Sequence, residues 1–411
     1  MFSGDTNLLD NIRIENVVKP ENLSTGNSEV STDVPQAVID YKAPEAISDN
    51  PTDFAFSFDD MLISLPTPVS VFTANGWEIS KDESKEVIAG NDNGRITMYK
   101  DNKKLTAELS TLISAMHAKA KEFANVLKMG RTQLQDAVPM TLGQEFESYA
   151  AALESEIPQI MFAEKNLHTI NMGATAIGTG INSDPLYTPK VTEHLSKISG
   201  FKLKAAKNLI AATNDTTDFV TYSSQLKRLA VKVSKICSDL RILSSGPRTG
   251  FFDISLPPMQ PGSSIMPGKV NPVIPEVVNQ ACFRVIGNDT AVMMASEAGQ
   301  LELNVFEPII VYSIFESIRL LINGMKTLRE RCVCGIVGNY EHCKESVHRS
   351  ISIVTALNPV IGYEASSDIA KTALQDNRSV YDIVLERGLL LKEKLDEVLK
   401  PENMTKPKKM K

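Results

Sequence analysis

From Lys103 onward, apolar positions recur at helical spacing. Leu105, Leu109, Leu112, Ile113, Met116, Ala120, Phe123 and Leu127 lie along one stripe and predict an amphipathic helix that stops near Gly130. A second helix is expected from about Leu142 to Glu164. Gly173–Gly180 breaks the pattern, and Asp184-Pro185 opens a turn. Helical spacing resumes over 187–199 and, at greater length, over 215–245. Residues 273–330 read as nearly continuous helix with apolar residues on more than one face. That pattern suits a helix buried in a bundle or an oligomer core, with a kink at Glu307-Pro308. Shorter helices follow over 346–398, separated at Asn358-Pro359 and Gly388, and a basic frayed tail closes the chain at Lys406–Lys411.

The first hundred residues have a different character. Residues 1–50 are polar, acidic and without a sustained period, so they are expected to be largely disordered or loosely attached. Leu62–Leu65 and Val69–Phe72 read as short strands. Asn75-Gly76 is a hairpin-turn signal, with Trp77-Glu78-Ile79 as the return strand. The expected organisation is therefore an all-α protein in three parts. These are an N-terminal segment at 1–102 (1–50 structureless), a long-helix bundle at 103–345 and a small helical C-terminal domain at 346–411.

Composition narrows the function classes. Few aromatics and an apolar set dominated by Ala, Leu, Ile, Val and Met favour packed helices over a β-sandwich. The formal charge is -7. Residues 1–60 hold twelve Asp/Glu against three Lys/Arg, so the remaining chain nets about +2, which is not a nucleic-acid-binding balance. The N-terminus lacks the basic and apolar regions of a secretory signal. No apolar run reads as membrane-spanning, since Pro308–Phe315 ends at Glu316. A cytoplasmic protein without membrane or nucleic-acid partners is expected. The five cysteines are odd in number and lack framework spacing. Cys332-Val333-Cys334 with His342 and Cys343 does not match zinc spacing, so reduced, half-buried thiols are expected. The five histidines lie in helical patterns without ligand spacing.

Two stretches concentrate chemistry. Gly262–Pro272 (GSSIMPGKVNP) is punctuated by Gly and Pro and carries Ser263, Ser264, Lys269 and Asn271 at the start of a long apolar helix. Read locally, it is a Gly/Ser turn with Ser264 or Asn271 capping that helix. Lys128–Pro139 (KMGRTQLQDAVP) reads as a capped loop between two helices, crowded with side-chain donors.

The eleven-residue stretch resembles the signature loop of the fumarase/aspartase superfamily, G-S-S-x-M-P-x-K-x-N-P, at every fixed position. KMGRTQLQDAVP resembles that family's second active-site segment. There Gln133 stands where fumarases usually carry His, which favours an amino-acid ammonia-lyase. GATAIGTGIN (173–182), SSGPRTGF (244–251), GQLELNVFEP (299–308) and ALNPVIGY (356–363) extend the resemblance from about Lys103 to the C-terminus.

The resemblance implies elimination of ammonia from L-aspartate to give fumarate, in a homotetramer whose active sites draw on three subunits. It implies no metal or organic cofactor. Ser263 would act as an alkoxide base on the proton beside the side-chain carboxylate. Lys269 would pair with a substrate carboxylate, Asn271 and Thr132 would donate hydrogen bonds, and Ser264 and Gln133 would line the site. Of the family's two earlier substrate-binding stretches, T-S-x-N-M-N has no counterpart here. S-T-N-D has only an echo in Ala89-Gly90-Asn91-Asp92, with unrelated sequence in place of the family's N-terminal domain. Three readings stand: an aspartate ammonia-lyase-type enzyme, a fumarate hydratase-like enzyme, and a non-catalytic relative that keeps the tetrameric scaffold.

Overall fold

In the computed structural model, the described residues are 92–260, 265–266 and 268–407, together with four short strands nearer the N-terminus. The chain divides into two compact units, Met1–Asn93 and Gly94–Lys411. In the first, β1 (Val17–Val18) pairs antiparallel with β4 (Glu78–Ile79), and β2 (Ala55–Phe58) pairs with β3 (Met61–Ser64). The hairpin is thus made by residues 55–64, and Glu78–Ile79 returns to Val17–Val18. The expected strand at Val69–Phe72 and turn at Asn75-Gly76 lie outside the described residues, as do the residues of 1–50 other than Val17–Val18.

The second unit is a helical bundle. α1 (Asp92–Glu122) buries Leu105, Leu109, Leu112, Met116 and Ala120 along the predicted stripe. It stops earlier than its apolar period implies. Leu127 belongs instead to β5 (Leu127–Thr132), which pairs antiparallel with β6 (Gln135–Thr141). α2 (Leu142–Glu154) starts against the end of α1. Gly143 N–H donates to the Phe123 carbonyl at 3.0 Å, and a Cβ on Gly143 would meet the Ala120 oxygen at 2.5 Å. Thr141 and Gln144 form a reciprocal capping box at this start. α3 (Glu156–Asn166) continues from α2. α4 (Tyr187–Ser199) and the short α5 (Leu209–Asn214) flank the bundle, and β7 (Thr169–Ile170) and β8 (Lys204–Ala205) form a short parallel pair.

Three long helices carry the core: α6 (Thr217–Leu243), α7 (Val273–Glu297) and α8 (Glu307–Arg331), with α7 packed along both of the others. The stretch 273–330 is therefore two helices. Pro308 lies in the first turn of α8, where its missing N–H costs nothing, and makes no kink. The break is held by Asn304, which is buried in the link between the helices. Its Nδ2 donates to the Ala295 and Ser296 carbonyls at 3.1 and 3.2 Å. Polar rungs cross the apolar packing. Asn279 donates to the Ser234 carbonyl at 2.8 Å, joining α7 to α6, and Asn288 donates to Ser317 Oγ at 3.1 Å, joining α7 to α8.

The stretch Glu307–Gly335 is long and apolar enough to cross a membrane by length and composition, which the run ending at Glu316 did not suggest. Here Ile310, Ile314, Ile318, Leu321, Met325 and Leu328 are buried in the bundle core. Opposite faces of α7 and α8 remain apolar and exposed at Val277, Phe283, Met293, Met294, Ile309 and Tyr312.

β9 (Ile254–Ser255), which precedes α7, pairs antiparallel with β10 (Val337–Gly338), which follows α8. The remaining helices are α9 (Tyr340–Arg349), α10 (Asn358–Ile361), α11 (Tyr363–Asp376), α12 (Val380–Glu386), α13 (Lys392–Val398) and α14 (Pro401–Met404). They enclose a separate small core around Ile353, Leu357, Ile369, Ile383 and Leu395.

Candidate active site

The segment expected to be an interhelical loop is the β5–β6 hairpin. Its pairing runs from Leu127↔Thr141 to Thr132↔Gln135, with a bulge between Met129 and Arg131. Gly130 sits at the bulge because a Cβ there would lie 2.8 Å from the Val138 carbonyl oxygen. The two turn residues, Gln133 and Leu134, have φ of 52° and 64°. A two-residue hairpin turn needs positive φ at both central positions to match strand twist. Glycine and asparagine are its usual residues, and a branched or long side chain there costs about 1–2 kcal/mol per residue. The strained tip presents Thr132, Gln133 and Leu134 to solvent, Leu134 at 58% exposure.

Beneath the tip lies a cluster of ion pairs. Lys128, fully buried, meets Glu145 of α2 at 2.6 Å and Asp253 at 3.1 Å. Arg131 reaches the same Asp253 Oδ2 at 2.6 Å and stacks on the Phe251 ring at 4.2 Å. Asp253 is completely buried, and its Oδ1 has no hydrogen-bond donor among the described residues. A cleft of about 170 Å³ opens between Lys128, Arg131 and Leu134, Glu145, and Lys235 and Asp239 of α6. The Tyr149 hydroxyl donates to Asp239 at 3.0 Å. Burial pushes its pKa far above the usual phenol value, so it stays a donor.

The strap carrying Phe251–Asp253 is fastened at several points. The Phe252 N–H donates to the Ser245 carbonyl at 3.0 Å, and the Phe251 N–H donates to Ser245 Oγ at 3.1 Å. Asn339, just before α9, donates its Nδ2 to the Phe252 carbonyl and its N–H to the Asp253 carbonyl, each at 2.9 Å. The His342 Nε2 lies 2.7 Å from the Phe251 carbonyl, which requires that nitrogen to carry the proton.

The signature loop leaves this strap after β9. Its two roots, Leu256–Met259 and Pro272–Pro275, meet around a small void of about 10 Å³ against Arg331 and Cys332. Pro257 packs on Gly335 so closely that a Cβ there would sit at 2.5 Å. Ser263 and Ser264 lie outside the described residues. Ile265, Met266, Lys269 and Asn271 are exposed, Ile265 at 86%. Gly268 takes φ of 82° and the Lys269 N–H closes a turn onto the Met266 carbonyl at 3.1 Å. Asn271 does not cap α7: its carbonyl accepts from the Val273 N–H at 2.9 Å, and the cap position is Pro272, without a side-chain bond. Thr132 and Gln133 share one exposed turn, and Lys269 and Asn271 share one exposed loop. No hydrogen bond or ion pair joins the two groups among the described residues.

Of the other flagged stretches, 173–182, 244–251 and 299–306 are irregular, whereas 356–363 contains α10. Within 173–182, Gly173, Thr175, Gly178, Gly180 and Asn182 all have positive φ. Asp253, Lys128 and Glu145 were not foreseen as part of the site. The available signals were a lysine on the apolar face of a strand and an acid directly after the Gly/Pro-rich strap.

All five cysteines are free, and burial raises Cys282, Cys332 and Cys343 to about 12, so these three are protonated at neutral pH. No three His, Cys, Asp or Glu residues come together to hold a metal ion among the described residues.

Comparison with known proteins adds an independent line. A family model described as Lyase matches residues 92–287, and one described as Fumarase C C-terminus matches 353–406. The match begins ahead of Lys103, at the start of α1. Aspartate ammonia-lyase of Helicobacter pylori is 56% identical over 313 residues, 76% of this chain and 67% of that protein. Its Pseudomonas aeruginosa counterpart is 59% identical over 305 residues, 74% of this chain and 64% of that protein. A cobalt-bound crystal structure of fumarate lyase:delta crystallin from Brucella melitensis superposes with a TM-score of 0.74 at 51% identity, covering 77% of this chain and 68% of that one. The chain spans about two thirds of the length of the curated relatives it matches.

A long-helix bundle, a strained donor-bearing hairpin and the GSSIMPGKVNP loop, together with these matches, place the chain in the fumarase/aspartase superfamily of lyases. Within that superfamily, curated relatives at 50–59% identity include aspartate ammonia-lyases. The comparisons thus agree with Gln133 in favouring a carbon–nitrogen lyase over a hydratase.

Proposed function

We propose that this chain catalyses the reversible elimination of ammonia from L-aspartate to fumarate, as a cytoplasmic homotetramer. The observation that carries the reading is the complete signature loop, held at both roots on one scaffold segment. It exposes Lys269 without an ionic partner among the described residues. A free ammonium on such a loop is available to a substrate carboxylate.

In the proposed reaction Ser263, as its alkoxide, removes the proton on the carbon beside the side-chain carboxylate. The electron pair passes into that carboxylate, giving a dianionic aci form. Its collapse forms the carbon–carbon double bond and breaks the C–N bond, and the protonated amine departs as ammonia. Lys269 holds a carboxylate by charge, Asn271 and Thr132 donate hydrogen bonds to carboxylate oxygens, and Ser264 and Gln133 line the site. The tetramer is supported by the exposed apolar faces of α7 and α8. Such exposed apolar side chains on long helices suit burial against further copies.

The test is fumarate formation from L-aspartate by ultraviolet absorbance, with L-malate in parallel. Ser263→Ala should cut kcat by about 10²–10⁴-fold with KM nearly unchanged, because the base acts on the proton in the transition state. Lys269→Ala should raise KM by about 10–100-fold as well, the equivalent of one charge-assisted hydrogen bond. Equal rates for wild type and Ser263→Ala would remove Ser263 as the base. No turnover of either substrate by wild type would favour the non-catalytic scaffold.

A further inference from the structure

We propose that Arg131 and Asp253 form a positioning pair that presets the Gln133-Leu134 turn for carboxylate recognition, an inference that rests on the proposed reading of Thr132 as a substrate donor and Gln133 as a lining residue. Both turn residues hold a left-handed backbone that neither side chain favours. Such a conformation persists only where the surrounding structure over-determines it. The ladder ends at Thr132↔Gln135 and is interrupted by the bulge at Gly130, so pairing alone leaves the tip weakly held. Arg131 stands between the bulge and the tip. It is gripped on two sides by one strap: the Asp253 carboxylate takes its guanidinium at 2.6 Å, and the Phe251 ring lies under it at 4.2 Å.

The strap is itself rigid. Asn339 bonds both the Phe252 and Asp253 carbonyls, and Ser255 Oγ donates to Asn339 Oδ1 at 3.0 Å. Asp253 is fully buried while the tip is exposed. The guanidinium therefore transmits a fixed point in the interior to a surface turn. The signature loop begins at Gly262, seven residues beyond Ser255 on the same stretch of chain. Lys128 does not duplicate this role, because it has Glu145 as a second partner and sits on the near side of the bulge.

Arg131→Met keeps packing on Phe251, removes the bond and leaves Asp253 paired with Lys128. Asp253→Asn removes the charge of the same pair while its amide oxygen can still accept, and it is the variant more prone to misfold because buried Lys128 also loses a charged partner. Arg131→Met should raise KM for L-aspartate about tenfold or more with kcat within about threefold of wild type, and Arg131→Lys should recover part of the loss. Hydrogen exchange of a peptide covering 131–138 should accelerate about tenfold in Arg131→Met while peptides from α6 and α7 stay unchanged. The Arg131→Met/Asp253→Asn double variant should be no worse than the single ones. A lowered kcat with unchanged KM would mean a lost active fraction, and would overturn the positioning role. Unchanged exchange in the hairpin peptide would overturn it too. The exchange measurement needs no turnover, so it decides the pair's role even if wild type proves inactive on aspartate.

Discussion

Asn304 offers a sharp test of how the central helices are held. It is 2% exposed in the link between α7 and α8. Its Nδ2 faces three oxygens, the Ala295 and Ser296 carbonyls and Thr216 Oγ1, at 3.1, 3.2 and 3.1 Å, while its Oδ1 accepts from the Phe306 N–H at 2.8 Å. Gly299 leaves room for this amide, since a Cβ there would meet Nδ2 at 2.7 Å. Asn304→Asp keeps the shape and replaces the donor with an acceptor. The Thr216 hydroxyl already donates to Ser296 Oγ at 2.9 Å, and the two carbonyls at the end of α7 have no proton to offer. A buried carboxylate would thus face oxygens at the negative end of a helix dipole. Losing two or three buried hydrogen bonds at about 1 kcal/mol each, with an uncompensated charge added, gives a cost of about 3 kcal/mol or more. At about 2–4 °C per kcal/mol for a unit of this size, the melting temperature should fall by about 6–12 °C, read by circular dichroism at fixed protein concentration. The deficit should shrink on acidification, because burial raises the new carboxyl's pKa and its protonated form regains a donor. A variant melting within about 2 °C of wild type would refute this account of the link.

Two further outcomes follow from the geometry. His117 is held between Glu154 and Glu147 at 2.7 and 2.9 Å, and the Glu154 bond leads in raising its pKa above 6.5. The charged form is thus favoured in the fold. The stability it lends α1 and α2 is full below pH 6.5 and is lost as pH rises through the raised folded value. His117→Gln should flatten denaturant stability against pH in that window, and an unchanged profile would dismiss the bridge. Gly178 takes φ of 93°, and a Cβ there would lie 2.3 Å from Ile210 backbone atoms, so Gly178→Ala should cost about 3 kcal/mol or more by chemical denaturation.

The local code was readable where it is local. The Leu105–Ala120 stripe, the α6 pattern and the Gly/Pro punctuation of 262–272 depend on residues three or four apart, or on single backbone preferences, and these persist into the folded chain. The GSSIMPGKVNP stretch, with Gln133, pointed to the lyase family because the pattern's fixed positions are all filled within one short run of chain. What helical spacing concealed was decided by long-range pairing. Leu127 continues the α1 stripe, yet it joins a strand because Thr141 lies across from it and Gly143 closes the end of α1. Residues 273–330 look continuous, but Asn304 finds three acceptors brought together only when the end of α7 packs against the start of α6 at Thr216. Asp253 follows the Gly/Pro-rich stretch but belongs to no periodic pattern in the sequence. Its place beneath Arg131, some 122 positions away along the chain, exists only once the hairpin and the strap are packed, because an ion pair depends on distance in space and leaves no period along the chain.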